Sequence, residues 1–159
     1  MSGEELLLSA KGFEKKLLNF FLRQGVSYFE GEDLAQEVLL RLWKYRNRYK
    51  ATAKLSTFLF ILARQVLIDF SRRKKRRILR EELYVAQSEA VQMPVECVGD
   101  DIHRAVAKLS SPLRDVIELA VFQDIPYAEI SQILEIPVGT VKSRMSNALK
   151  KLKEIVDER

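Results

Sequence analysis

Between positions 140 and 151 short hydroxyl and amide side chains recur with basic ones at helical spacing. At about 100° per residue, Thr140, Ser143, Arg144, Asn147, Lys150 and Lys151 share one face, and Val141, Met145, Ala148, Leu149 and Leu152 share the other. The polar set has the chemistry of major-groove reading. Short hydroxyls and an amide reach base edges, and cations further along the helix meet phosphates. The plainer reading is a helical hairpin with a solvated outer face. It leaves unexplained why Ser, Thr and Asn stand where Glu and Lys are the usual helix formers. Gly139 costs helix propensity, which predicts a close backbone approach near the helix start.

Arg72-Arg73-Lys74-Lys75-Arg76-Arg77 is a second chemically marked stretch, with six consecutive cations. Such a block repels itself unless anions are near, so it is read as a phosphate-binding segment rather than a solvated helix end. A polar strip of Thr57, Arg64, Gln65, Arg72 and Lys75 leads into it. Before it, Asn47 to Leu55 reads as a loop containing Tyr49, Lys50 and Lys54. Aromatics there could stack on exposed bases; for Phe58 and Phe60 a core role is the stronger reading. A third stretch is Asp33, Gln36, Glu37, Leu40 and Lys44, one side of a helix whose core side is Ala35, Val38, Leu42 and Tyr45. Leu40 within that polar stripe reads equally as a protein interface with a polar rim and as a stray exposed Leu. Trp43, at the stripe's margin, is read as core.

The elements that must position these residues are all helical. Gly and Pro are scarce, β-type alternation is absent, and apolar residues recur at helical spacing. Phe13, Leu17, Phe20 and Phe21 make one stripe, ended by Gly25. A second helix is predicted from near Glu32 to about Asn47. Ser56 or Thr57 is read as the cap of a third, nearly apolar all round and running through Phe70 into the basic block. Ser111-Pro112 signals another helix start. A short helix over Tyr127 to Leu134, a break at Glu135-Ile136-Pro137 and a helix to about Ile155 make a helix-turn-helix. Lys153 to Arg159 are expected to finish that last helix.

Of the 159 residues, 27 are Lys or Arg and 22 Asp or Glu, a net of +5, and 47% are hydrophobic, which excludes a disordered chain by composition. The charge is uneven. Residues 1–80 hold 18 basic and 8 acidic groups, a net of +10. Residues 81–100 hold 5 acidic groups and no basic one, a net of −5, and residues 101–159 hold 9 of each. The basic part is therefore expected to meet a polyanion. The expected architecture is all-α: a helical domain over 1–80, a flexible acidic linker over 81–100, and a second helical domain over 101–159.

Other functions lack their residues. Cys97 is the single Cys and His103 the single His, so neither a disulfide framework nor a zinc site of several such ligands can be built. His103 is read as an exposed helix residue. No Ser/His/Asp grouping or Gly-rich phosphate loop is visible, so no catalytic residue, metal or cofactor is expected. The longest apolar run, Phe58 to Ala63, is too short to cross a bilayer, and Leu6 to Leu8 lacks the features of a signal sequence. A soluble, cytoplasmic protein is expected, without membrane insertion.

Taken together, these residues resemble a bacterial RNA polymerase sigma factor of the sigma-70 family, extracytoplasmic-function (ECF) class. Asp33-Leu34-Ala35-Gln36-Glu37 looks like the polymerase-binding motif of sigma region 2. Ser56-Thr57-Phe58-Leu59 through Ile61-Leu62-Ala63-Arg64 and Ile68-Asp69 resembles the helix that follows, with Phe58 where the family often has Trp. Pro137-Val138-Gly139-Thr140-Val141-Lys142-Ser143-Arg144 is similar to the start of the recognition helix of region 4. The resemblance implies that Asp33, Gln36 and Glu37, with Leu40 beside them, dock on the clamp helices of the polymerase largest subunit, and that the polymerase flap is a further contact. It implies that the loop with Asn47, Tyr49, Lys50 and Lys54 receives a base flipped out of the −10 element. Thr57, Arg64, Gln65, Arg72, Arg73 and Lys75 would hold the non-template strand and upstream duplex. Thr140, Lys142, Ser143, Arg144, Ser146, Asn147 and Lys150 would serve the −35 element. Lys142 lies nearer the core edge and is assigned to phosphate; the family often has a basic or aromatic residue at Ser146 and Asn147. An anti-sigma factor is an implied partner.

The implied mechanism is binding without bond-making, with capture of unstacked bases offsetting an unstacking cost of a few kcal/mol. The promoter elements lie more than one duplex turn apart, each turn about 34–36 Å. About 20 linker residues reach at most roughly 70 Å, and their negative charge suits a basic channel of the polymerase rather than the duplex. Two other functions compete. A helix-turn-helix repressor or activator would bind duplex DNA without polymerase and has no need of the Asp33–Glu37 stripe. A small nuclease or recombinase would need clustered carboxylates, for which Asp33, Glu37 and Asp69 are the only candidates in the basic domain.

Overall fold

Local hydrogen bonding sets the first two turns of the chain. In a computed structural model describing residues 2–49, 54–81 and 101–158, α1 (Gly3–Lys11) opens on a reciprocal cap: the Glu5 amide donates to Ser2 Oγ at 3.2 Å and the Ser2 amide to Glu5 Oε2 at 3.0 Å. Helix α2 (Glu14–Arg23) stops before Gly25, whose φ of +86° only glycine adopts cheaply. Helix α3 (Tyr28–Lys44) begins earlier than the Glu32 expected, because Ser27 caps it, its Oγ accepting from the Glu30 amide at 3.3 Å. Gly31 continues that helix against α2, where an added Cβ would stand 3.1 Å from Leu18 Cδ1. Helix α4 (Leu55–Glu81) starts ahead of Thr57, which is buried inside the first turn and is not its cap.

These helices meet over Leu17, Phe20 and Phe21 of α2, Leu34, Val38 and Leu42 of α3, and Leu59, Phe60 and Val66 of α4, all buried. Phe20 packs edge-on to both Phe21 and Phe60, with ring centroids 5.2 and 5.7 Å away. Beyond Phe70 every residue of α4 is exposed. The all-round apolar character of its first half therefore ends where its cationic run begins.

The second domain comprises α5 (Asp101–Ala107), α6 (Ser111–Ile117), α7 (Tyr127–Leu134) and α8 (Val138–Asp157). Ser110, not Ser111, stands at the N-cap of α6, with Pro112 in the first turn. Helix α6 runs directly into a π-helical turn, Glu118–Phe122, which single-residue periodicity could not anticipate. That wider turn leaves Glu118 and Leu119 buried and Val121 exposed. His103, expected to be exposed, is half-buried and stacks on the Phe122 ring at 5.2 Å.

The two domains pack on one another, α4 against α7, and buried apolar side chains form one continuous cluster through both. The acidic linker lies outside the described residues, except that Glu81 ends α4. Among the described residues no helix is long and apolar enough to cross a membrane.

Candidate nucleic-acid interface

The recognition helix is positioned by the turn before it. Glu135 adopts a left-handed conformation, φ +56°, and the Ser131 hydroxyl donates to the Ile136 carbonyl at 2.5 Å. Ile130, Ile133 and Leu134 of α7 and Val141, Met145 and Ala148 of α8 are buried, locking the two helices together. Leu149, expected on the buried side, is 52% exposed; Leu152 remains half-buried. On the outer side Lys142, Ser143, Ser146, Asn147 and Lys150 are exposed, and Thr140 and Arg144 half-buried. The Ser143 hydroxyl turns back to the Thr140 carbonyl at 3.3 Å, a weak bond that a base edge can replace. Apart from its own helix backbone and chain neighbours, nothing among the described residues stands within 4 Å of a Cβ built on Gly139. The close approach expected there is not to any other described part of the chain.

The strand-binding candidates divide by burial. Asn47 and Lys54 are exposed, Tyr49 is half-buried and packs on Phe58 with centroids 5.5 Å apart, and Lys50 lies outside the described residues. Thr57 is buried at 3% exposure, Arg64 half-buried, and Gln65, Arg72, Arg73 and Lys75 exposed. Arg64, Arg72 and Lys75 line one side of a cleft whose other side is formed by Ser111, Asp115 and Leu119 of the second domain. Lys54 Nζ lies 3.4 Å from Glu129 Oε1 of α7. The cationic strip therefore faces the second domain over part of its length.

On α3, Asp33, Gln36 and Leu40 are exposed and Glu37 half-exposed. Trp43, expected in the core, is 40% exposed, and Phe29 is 73% exposed. Phe29, Asp33, Gln36, Leu40 and Trp43 follow at alternating intervals of four and three residues, so they form one continuous stripe. The Arg46 guanidinium covers the Trp43 ring at 4.2 Å. The sequence reading overlooked Phe29, although its helical interval from Asp33 could have indicated it.

Arg41 organises the neighbouring ground. Its Nε donates to Glu37 Oε1 at 3.3 Å and its Nη2 to Asp69 Oδ2 at 2.8 Å. Burial works against its charge, but the hydrogen bonds it donates to Asp69 and Glu37, and the charges of those carboxylates, outweigh it, and the Arg41 pKa lies above its ordinary value. Of the three carboxylates considered for a nuclease, Glu37 and Asp69 share Arg41, whereas Asp33 is exposed on the same helix. Asp33, Glu37, Phe70 and Arg73 border one shared cleft, which brings the acidic stripe of α3 and the cationic end of α4 together. Arg41 was also missed, although its position four residues after Glu37 is the usual spacing of a helical ion pair.

Comparison with known proteins matches both domains. Residues 12–77 match the family model of sigma-70 region 2, and residues 99–152 that of sigma-70 region 4. The chain is 28% identical over 146 residues to the ECF RNA polymerase sigma factor RpoE of Cereibacter sphaeroides, covering 89% of this chain and 81% of that one. It is 30% identical over 152 residues to the ECF sigma factor SigL of Mycobacterium tuberculosis, covering 89% and 83%. Its fold superposes with a TM-score of 0.76 on the sigma factor RpoE of Bartonella quintana in complex with the anti-sigma factor NepR, at 25% identity over 97% of this chain and 95% of that one. Two helical domains in this order, one ending in a helix-turn-helix, and relatives matched along most of their length place this chain in the ECF class of the sigma-70 family of RNA polymerase sigma factors.

Proposed function

We propose that this sigma factor divides its work between its two domains, residues 1–80 holding polymerase and the −10 region and residues 101–159 reading the −35 element, with 81–100 as the tether. The observation that carries the reading is the pair of unlike exposed faces. The α3 stripe offers apolar groups among carboxylates and an amide, which suits a protein partner with a polar rim. The α8 face offers hydroxyls, an amide and cations, which suits base edges and phosphates. Asp33, Gln36, Glu37 and Leu40 dock on the clamp helices of core polymerase, and the second domain meets the flap. Asn47, Tyr49, Lys50 and Lys54 form the pocket for a flipped −10 base, and Gln65, Arg72, Arg73 and Lys75, with Arg64 and Thr57 behind them, follow the strand. Thr140, Ser143, Arg144, Ser146 and Asn147 read the −35 duplex, with Lys142 and Lys150 on phosphates. Gly139, open to solvent, lets the DNA backbone come close to the first turn of α8.

As a sigma factor the chain is not an enzyme, so its contribution is affinity and strand capture. The charge-neutral second domain depends on base contacts and on its tether more than on bulk charge. The matched structure of a sigma factor with the anti-sigma factor NepR supports an anti-sigma factor as a partner, and the polymerase partner supports a cytoplasmic location. Run-off transcription with core polymerase on a genomic library tests the reading. Discrete promoters carrying two spaced elements are expected, and absence of any core-dependent transcript refutes it. Tight duplex binding with no capture of core polymerase would favour the repressor alternative.

A further inference from the structure

Six consecutive cations cannot all meet one strand. At about 100° per residue, Arg72 to Arg77 pass right round α4, so the block presents more than one face. Arg72 and Lys75 line the cleft beside the second domain. Lys74 and Arg77 follow Phe70 at intervals of four and three residues and share its side of the helix. That side faces α3: the two cations line one cleft with Phe70 and with Asp33, Leu34 and Glu37. Leu34 is buried and Phe70 half-buried, so the cleft has an apolar floor between an acidic wall and a basic one.

The two walls keep their charges for other partners. Glu37 accepts from Arg41. Lys74 Nζ lies 5.7 Å from the centroid of the Phe70 ring, and Arg77 Nε reaches Glu81 Oε1 of its own helix at 3.6 Å. Lys74, Arg77 and Asp33 are exposed. Asp33 also belongs to the stripe that runs from Phe29 to Trp43, so the cleft continues the α3 surface without a break.

From this geometry we infer that Lys74 and Arg77 are polymerase contacts: the docking surface turns from α3 across the cleft onto α4 and takes an acidic segment of core polymerase there. The inference rests on the reading that Asp33 and Glu37 dock on polymerase. DNA is the poorer occupant, because phosphates laid in the cleft would stand beside the Asp33 and Glu37 carboxylates and be repelled by them. A protein segment can carry both signs. It can turn carboxylates to Lys74 and Arg77, donors to Asp33 and Glu37, and an apolar side chain to Phe70 and Leu34. The basic block is thereby divided, Arg72, Arg73 and Lys75 serving DNA and Lys74 and Arg77 serving protein.

The full chain carrying Lys74→Glu or, separately, Arg77→Glu tests this. Lys75→Glu, the neighbouring cation on the strand side, controls for lost charge, and Lys74→Arg for packing on Phe70. Titration of labelled core polymerase reports docking. Run-off transcription on a genomic library at limiting and at saturating chain separates docking from later steps, and circular dichroism reports the fold. Lys74→Glu and Arg77→Glu are each expected to weaken core binding about fivefold to tenfold, with a smaller loss at high salt, and to regain transcription at saturating chain. Lys74→Arg is expected to keep the parental affinity. Lys75→Glu is expected to keep core affinity and to stay defective in transcription at saturation. Parental core affinity in both Lys74→Glu and Arg77→Glu, or a loss no greater than that of Lys75→Glu, overturns the inference. So does transcription that stays defective at saturating chain in both, which would return the two cations to DNA. Glu37→Lys in the same titration separates the two readings. Unchanged core affinity there refutes docking through α3, whereas a loss there with none in the α4 variants refutes only the extension onto α4.

Discussion

Arg41 of α3 joins Asp69 of α4 at 2.8 Å, and the same guanidinium holds Glu37 at 3.3 Å. One cation therefore joins α3 to α4 and orients the Glu37 carboxylate. Arg41→Ala should lower stability by about 0.5–1.5 kcal/mol, since these bonds are partly solvated. It should also weaken capture of core polymerase by leaving Glu37 unoriented. Chemical denaturation and a polymerase binding assay measure the two effects; unchanged binding would assign Arg41 a structural role alone.

Glu37→Lys reverses charge on a half-exposed side chain paired with Arg41. Stability should move by no more than about 0.5 kcal/mol, while affinity for core polymerase should fall on the order of tenfold. Equal affinity in a titration with labelled core enzyme would contradict docking through this stripe.

Asn147→Ala removes an exposed amide from α8. A lost bidentate base contact costs about 1–3 kcal/mol of discrimination. Selection from a randomised −35 library should therefore show relaxed preference at one position with retained overall affinity. A uniform loss across all sequences would mark Asn147 as a backbone contact instead.

Gly139→Ala separates folding from binding. Beyond its own helix backbone the added methyl meets nothing within 4 Å among the described residues, and Ala gains up to about 1 kcal/mol of helix propensity over Gly. Thermal stability of the second domain should rise slightly while affinity for −35 duplex falls. A rise in both would show that DNA keeps its distance from this turn.

Asp115 makes stability depend on pH. Burial pushes its carboxyl above the ordinary value of 3.8, against the opposing pull of Arg64, the Gln24 hydrogen bond and Arg114, and with Glu118 adding to the rise. The folded chain then binds this proton more tightly than the unfolded one. The contribution is fully present below the unfolded pKa and is lost as pH rises through the higher folded value. Asp115→Asn should remove that component, so the melting temperature of the variant should gain on that of the parent as pH rises above the ordinary value of 3.8. Parallel pH profiles would refute the assignment.

Helical periodicity and local capping were enough to identify the all-α class, the helix-turn-helix and both polar faces, because apolar spacing and turn chemistry act over a few residues. Val141, Met145 and Ala148 are buried and Ser143 and Asn147 exposed, as a helical wheel requires. Helix α3 starts ahead of the Glu32 expected because Ser27 caps it through the Glu30 amide. Trp43, Leu149 and His103 went to other environments than their types suggested, because exposure at a helix margin depends on which neighbouring helix arrives there. The tertiary structure alone decided which side chains of the two domains meet. Arg23 and Glu118 are separated by 95 residues, no periodicity links them, and the π-helical turn that carries Glu118 is set by packing. Sequence assigned a net charge to each part of the chain; packing turned those charges toward one another, since ion pairing depends on distance through space.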